Sequence, residues 1–296
     1  MKTFKNPILT HLADPDVLFH DGVYYLYATS YGSEEEIDNY YKVYASTDLV
    51  NWENKGECFR SSKLTRWYWA PDVKEKDGKF YMLYTADEHM GMAVADSPLG
   101  PFVETGFVIE RSIDGHMFFD GDEMYIYYVS WREGHEYALW ACKMNNDRIT
   151  PDWSTEKMIF KAEKEYECYI NGVVEAPYML KKDGKYYLTY AASHFESPFY
   201  CVCYAVSDSP LGDFVRYKNN PILVGDNKTV NGIGHHCITS SPDGKQLFII
   251  YHSHDEVGKV HPRKLSISKM EFAEVDGETI LRCDPHTFEE QAYPLG

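Results

Sequence analysis

Three carboxylates, one imidazole and one indole stand at matching places in this chain: Asp14, Asp114, Glu175, His235 and Trp69. Each is placed by its distance to a downstream turn. Asp14 lies seven residues before Asp21, while Trp69, Asp114, Glu175 and His235 lie eight before Asp77, Asp122, Asp183 and Asp243. Carboxylates paired in different environments are what hydrolysis of a glycosidic bond requires. One activates water or attacks the sugar directly. The other, with a raised pKa, protonates the leaving oxygen. A third carboxylate nearby holds that proton in place by like-charge repulsion. Two-metal hydrolysis also uses carboxylates, but with more His and Asp ligands at short spacing than are found here. Taken singly, each Asp or Glu reads as a turn or cap residue, and a structural metal site is the blander use of the whole set.

The elements that must bring these residues together are repeated. Residues 14–30 read DPDVLFHDGVYYLYATS and residues 70–86 read APDVKEKDGKFYMLYTA. The pattern returns at 114–130 (DGHMFFDGDEMYIYYVS), 175–193 (EAPYMLKKDGKYYLTYAAS) and 235–253 (HHCITSSPDGKQLFIIYHS). Each copy is a short apolar strand, a turn and an aromatic strand. The turn is Asp-Gly in four copies, the strongest short hairpin signal, and Asp122-Glu123 is read as the turn of the third. The gaps between turns are 56, 45, 61 and 60 residues, room for a four-stranded antiparallel unit. VYASTDLVNW, MAVADSPLGPF and CYAVSDSPLGDF form a second echo after the first, second and fourth hairpins. Radial repetition of such sheets is a β-propeller, so the expectation is an all-β chain. It has five four-stranded antiparallel blades around a central axis, forming one catalytic domain over residues 1–296. The first strand of each blade lines the axis, so equivalent positions at the strand starts converge at one mouth of the channel. A strand-breaking Asp14-Pro15-Asp16 is tolerated there because the site needs the carboxylate.

The bulk numbers restrict the partners. A net charge of −17 disfavours nucleic acid and anionic membranes on average, and leaves neutral or cationic ligands as the better expectation. No apolar stretch approaches the roughly 20 residues that span a bilayer, and the N-terminus shows no secretory h-region. Seven scattered cysteines without CxxC spacing read as reduced thiols, so a cytoplasmic location is expected. Cys201 and Cys203 point the same way in a strand, as buried small hydrophobes. Oligomeric state is not legible.

On these motifs the chain resembles glycoside hydrolase family 43, five-bladed propellers that remove arabinofuranosyl or xylosyl units with inversion. NPILTHLADPDVLFHDGVYYLYATS is similar to the family's opening blade, which implies Asp14, not Asp16, as general base. WYWAPDVKEKDGKFYMLYT implies Trp69 as a wall of the sugar pocket. SIDGHMFFDGD implies Asp114 as the residue that tunes the acid's pKa, although Gly115-His116 departs from the family's usual Pro-Ser. GVVEAPYMLKKDGKYYLTY implies Glu175 as general acid. GIGHHCITSSPDG implies His235 on the axis beside a calcium ion, structural and water-rich. No organic cofactor is implied. VHPRKLSIS implies Arg263 as a contact of the terminal sugar. Tyr31 is a further pocket-wall candidate, Trp131 is placed to stack on a second sugar unit, and His252 reads as a packed strand histidine. Endo- or exo-arabinanase action is the alternative within the family. A fructan-type retaining enzyme using Glu167-Cys168, and a non-catalytic carbohydrate-binding propeller, are the rivals outside it.

Overall fold

The computed structural model describes residues 2–30 and 39–295, so the candidate Tyr31 lies outside the described residues. Five antiparallel sheets succeed one another along the chain. Their innermost strands are Leu12–His20, Trp69–Lys76, Ser112–Asp120, Val174–Lys182 and Gly234–Ser240. In the first three blades the remaining strands follow outward in chain order, ending at Phe59, Glu110 and Phe160. The fourth blade splits its outer edge into two short strands, Val215–Arg216 and Leu223–Val224, both paired with Cys201–Ser207. The fifth is closed by both ends of the chain. Leu9–Thr10 pairs with the start of Lys264–Val275, and Glu278–Cys283 with its other end. Threading an N-terminal strand onto the outer part of the last blade closes the ring.

Most inner hairpins form because their two-residue turns are pre-set, whereas the fifth closes through the six residues between Ser240 and Leu247 rather than an Asp243-Gly244 two-residue turn. Asp21-Gly22, Asp77-Gly78 and Asp183-Gly184 all have positive φ at both residues, the twist that matches two paired strands. In the third blade Asp120 pairs with Glu123, so the turn is Gly121-Asp122 rather than the expected Asp122-Glu123. Glycine leads there, with φ of 65°. Counted from the first turn residue, Asp14, Ala70, Asp114 and Ala176 then all stand seven positions upstream.

One apolar cluster sits at each blade interface. Tyr27, Val73 and Met82 join blades one and two; Leu83, Met117 and Ile126 join two and three. Tyr127, Val174 and Leu188 join three and four; Val202, Ile238 and Ile249 join four and five; Leu26, Val17 and Ile250 close the ring. Among the described residues, ten of the twelve largest fully buried side chains are tyrosines. Most of the tyrosine content therefore serves packing between blades, not sugar stacking. A buried tyrosine needs a partner for its hydroxyl. Tyr27 donates to the Pro98 carbonyl at 2.5 Å and Tyr127 to that of Pro210 at 2.6 Å. Those carbonyls belong to the repeated Ser-Pro-Leu-Gly turns, which explains the second sequence echo. The cysteines are free, and Cys201 and Cys203 lie side by side, buried. No helix among the described residues is long and apolar enough to cross a membrane.

Candidate active site

A β-bulge aims the functional side chains. The register of every innermost strand shifts at the same place: Ala13/Asp16, Trp69/Asp72, Ile113/His116, Glu175/Tyr178 and Gly234/His236. At each shift one residue takes a left-handed backbone. These are Asp14 (φ 52°), Ala70 (40°), Asp114 (56°), Ala176 (51°) and His235 (31°). The extra residue bends the strand toward the channel mouth, at a cost of about 1–2 kcal/mol for a residue with a Cβ. In blades one, three and five the left-handed residue is itself the candidate site residue. In blades two and four it is alanine, and the residue before it, Trp69 or Glu175, is presented instead. The third blade keeps this geometry despite its Gly115-His116 departure. Amides released from the sheet are accepted by side chains: Ala70 N–H by Thr29 Oγ1 at 2.8 Å and Ala176 N–H by Asp114 Oδ2 at 3.1 Å.

Asp14 is buried in a positive setting. Arg263 Nη1 donates to Oδ1 at 2.8 Å and Nη2 approaches Oδ2 at 3.3 Å. His252 Nδ1 lies 3.0 Å from Oδ1 and His235 Nδ1 3.4 Å. The Asp14 amide is farther from His252 Nδ1, at 3.4 Å, so the shorter contact favours a proton on Nδ1 donated to the carboxylate. Burial alone would raise the Asp14 pKa, but the Arg263 guanidinium, then His235 and His252, outweigh it and hold the carboxyl well below its usual range.

Glu175 lies in the opposite setting. Burial and then the charge of Asp114 push its carboxyl well above the usual range, against the hydrogen bonds of Tyr200 and Tyr137. Tyr200 donates to Oε1 at 2.6 Å. The Asp114 carboxyl is also raised, by burial foremost and by Asp14, with His235 3.6 Å away opposing. Because Asp114 accepts the amide next to Glu175, these two carboxyls are fixed relative to one another. Two carboxyls with pKa values driven apart can divide base and acid duties.

Asp14, Asp114, Glu175 and His235 line one cavity of ≈ 480 Å³ with Trp69, Trp131 and Arg263. Trp69 stacks on Trp67, and Trp131 stacks on Tyr137 at 5.6 Å. Arg263, expected against the sugar, is itself buried and spends its fork on Asp14, with Phe195 over its guanidinium at 5.0 Å. Glu88, His194, Phe195 and His261 complete the wall. Sequence reasoning missed these four, along with Tyr137 and Tyr200, and it undervalued His252. Nothing local separates Tyr200 from the other tyrosines. His252 carries the one usable signal, its place in the aromatic strand that pairs with the His235 strand. Glu167 is fully buried, paired with Arg216 at 2.6 Å and bonded by Tyr190 at 2.8 Å. It anchors a loop, which removes the basis for the Glu167-Cys168 rival.

Calcium beside His235 finds no cage. Among the described residues no group of three or more His, Cys, Asp or Glu side chains is arranged to hold a metal ion. His235 turns Nδ1 to two carboxylates that already have other partners. Calcium takes six to eight oxygen ligands. The residues around His235 do not fit a protein-built calcium site.

The model of glycosyl hydrolases family 43 matches residues 4–277. A xylosidase/arabinosidase of Bacteroides ovatus is 27% identical, over 95% of this chain and 98% of that protein. A β-D-galactofuranosidase, xynD of Aspergillus niger, is 25% identical over 88% of this chain and 80% of its own length. The crystal structure of a thermostable family-43 glycoside hydrolase superposes with a TM-score of 0.88 at 33% identity, covering 99% of both chains. With a matching five-bladed ring and three carboxylates lining one cavity, this O-glycosyl hydrolase belongs to glycosyl hydrolase family 43.

Proposed function

We propose that this hydrolase is inverting and exo-acting, and releases terminal α-L-arabinofuranosyl or β-D-xylosyl units from hemicellulose-derived (arabino)xylo-oligosaccharides. The observation that carries the reading is the opposed surroundings of two carboxyls in one cavity, Asp14 against Arg263 and His252, Glu175 against Asp114 and Tyr200. Asp14 is kept ionised by Arg263 and His252, and Glu175 is kept protonated by burial and Asp114. Glu175 gives its proton to the glycosidic oxygen as the bond from the anomeric carbon breaks. Asp14 takes a proton from the water that bonds to that carbon on the opposite face. Asp114 transfers no proton in either step. In an inverting enzyme the two carboxyls stand about 6.5–9.5 Å apart, to admit that water. A cavity of ≈ 480 Å³ walled by Trp69, Trp131 and Phe195 suits a chain end. The relatives' names favour pentosides and furanosides: one names xylosidase and arabinosidase together, another a galactofuranosidase.

Proton NMR of an arabinose-decorated xylo-oligosaccharide during hydrolysis tests this. The expected result is free arabinose or xylose whose first-formed anomer is inverted relative to the linkage. A retained anomer would mean a covalent intermediate and would overturn the mechanism. No release, with cleavage of linear arabinan, would favour the arabinanase alternative. Binding without turnover would favour a carbohydrate-binding propeller.

The role of Asp114 has its own signature. Asp114→Asn removes the negative charge beside Glu175, so the acid's pKa falls. The alkaline limb of kcat/KM then moves to lower pH, and activity at the wild-type alkaline shoulder drops roughly tenfold. A pH–rate profile checks this. A uniform loss with an unmoved limb would leave Asp114 only a binding role.

A further inference from the structure

A second ring of side chains lies one step down the channel from the catalytic ring. It is formed by Asp16, Asp72, His116, Tyr178 and His236, each just past the bulge of its strand. The ring stitches neighbouring blades together. Asp16 Oδ2 accepts the Val73 amide at 2.7 Å, and Asp72 Oδ2 accepts that of Met117 at 2.9 Å. His116 Nε2 accepts the Met179 amide at 3.0 Å, which puts its proton on Nδ1, donated to Asp72 Oδ1 at 2.9 Å. Tyr178 donates to the Ile238 carbonyl at 2.5 Å. His116 is therefore neutral, and two buried carboxylates face one axis. Without a cation they would repel at short range in a poorly solvated channel. The cation is present in the sequence. Lys74 Nζ lies 2.6 Å from Asp72 Oδ1 and 3.2 Å from Asp16 Oδ1, with the Tyr178 ring 5.3 Å away.

We infer that Lys74 is the axial cation of this propeller, so that neither its fold nor its reaction requires a bound metal ion. Three observations carry this. Both axial carboxylates are taken, each by Lys74 and by a backbone amide. The channel cavity between the two rings measures ≈ 20 Å³, room for one water but not for an ion with six to eight oxygen ligands. Of the ring nitrogens in this layer, His236 Nδ1 has no protein partner, and a single nitrogen donor does not make a calcium site. The inference rests on the packing of the axis and is independent of which sugar is cleaved.

The test uses the full chain. Metal content of the purified protein is measured by mass spectrometry, and melting curves and turnover are recorded with and without EDTA. The expected result is substoichiometric metal, superimposable melting curves and unchanged turnover. Lys74→Met keeps the chain length but leaves Asp16 and Asp72 uncompensated, and should lower Tm by about 10 °C. Stoichiometric calcium or another divalent ion, or a Tm lowered by EDTA, would overturn the inference. So would a Lys74→Met protein that melts with the wild type. Should that variant not fold, the wild-type metal content and chelation curves decide the question alone.

Discussion

Asp14→Asn is expected to lower kcat/KM about 10²- to 10⁴-fold on every substrate, whatever its leaving group. The carboxylate has to take a proton from water, and a carboxamide has no basicity for that task. Asparagine is the informative replacement because it tolerates the left-handed backbone at this position, φ 52°, and still accepts hydrogen bonds from Arg263 and His252. The fold should survive, which circular dichroism and a melting curve would verify. Tm should nevertheless fall, since Arg263 is buried and loses its counter-charge. The loss should be the same for an oligosaccharide and for an aryl glycoside, because water attack is needed in both cases. Near wild-type kcat/KM in this variant would remove Asp14 as the base.

Glu175→Ala should behave differently, and the difference identifies the acid. Its proton is needed where the leaving group is a sugar alkoxide, and kcat/KM on an oligosaccharide should drop about 10²- to 10⁴-fold. A nitrophenyl glycoside leaves as a stabilised phenolate and needs no proton, so its cleavage should fall far less. The pH profile adds a second readout. In the wild type, activity is lost as pH rises through the raised pKa of Glu175, since the deprotonated form cannot donate. On the activated substrate that alkaline limb should disappear in the variant. Equal losses on the two substrates would contradict the assignment. The two variants together separate proton donor from proton acceptor without reference to the sugar.

Both assignments trace to a pattern visible in one dimension. Hairpins are local objects: a two-residue turn and period-2 strands are encoded within about twenty residues, so the five copies and the propeller are readable from the chain. Because the turn fixes the strand register, counting back from it also located Asp14, Asp114, Glu175, His235 and Trp69. The count came out as seven for Asp14 and eight for the others for reasons that sequence does not display, among them a fifth hairpin that closes through the six residues between Ser240 and Leu247. The third turn begins at Gly121, and the bulge presents the left-handed residue in some blades and its predecessor in others.

What tertiary structure alone decided is the environment of those carboxyls. Arg263 and His252 meet Asp14 across 249 and 238 residues of chain, because the closed ring sets the last blade against the first. A lone histidine or arginine carries no local mark that distinguishes packing from pairing, so the contacts of Arg263 and His252 with Asp14 were not legible, although Arg263 does line the cavity. Lys74 sits two residues after Asp72 in an unremarkable APDVKEK run, yet the channel makes it the counter-ion of two blades. Sequence determined which groups exist and which strand presents them, since those are short-range properties of turns and pleats. Which carboxyl is lowered in pKa and which is raised follows from burial and charge supplied by distant strands, and only the closed fold brings those strands together.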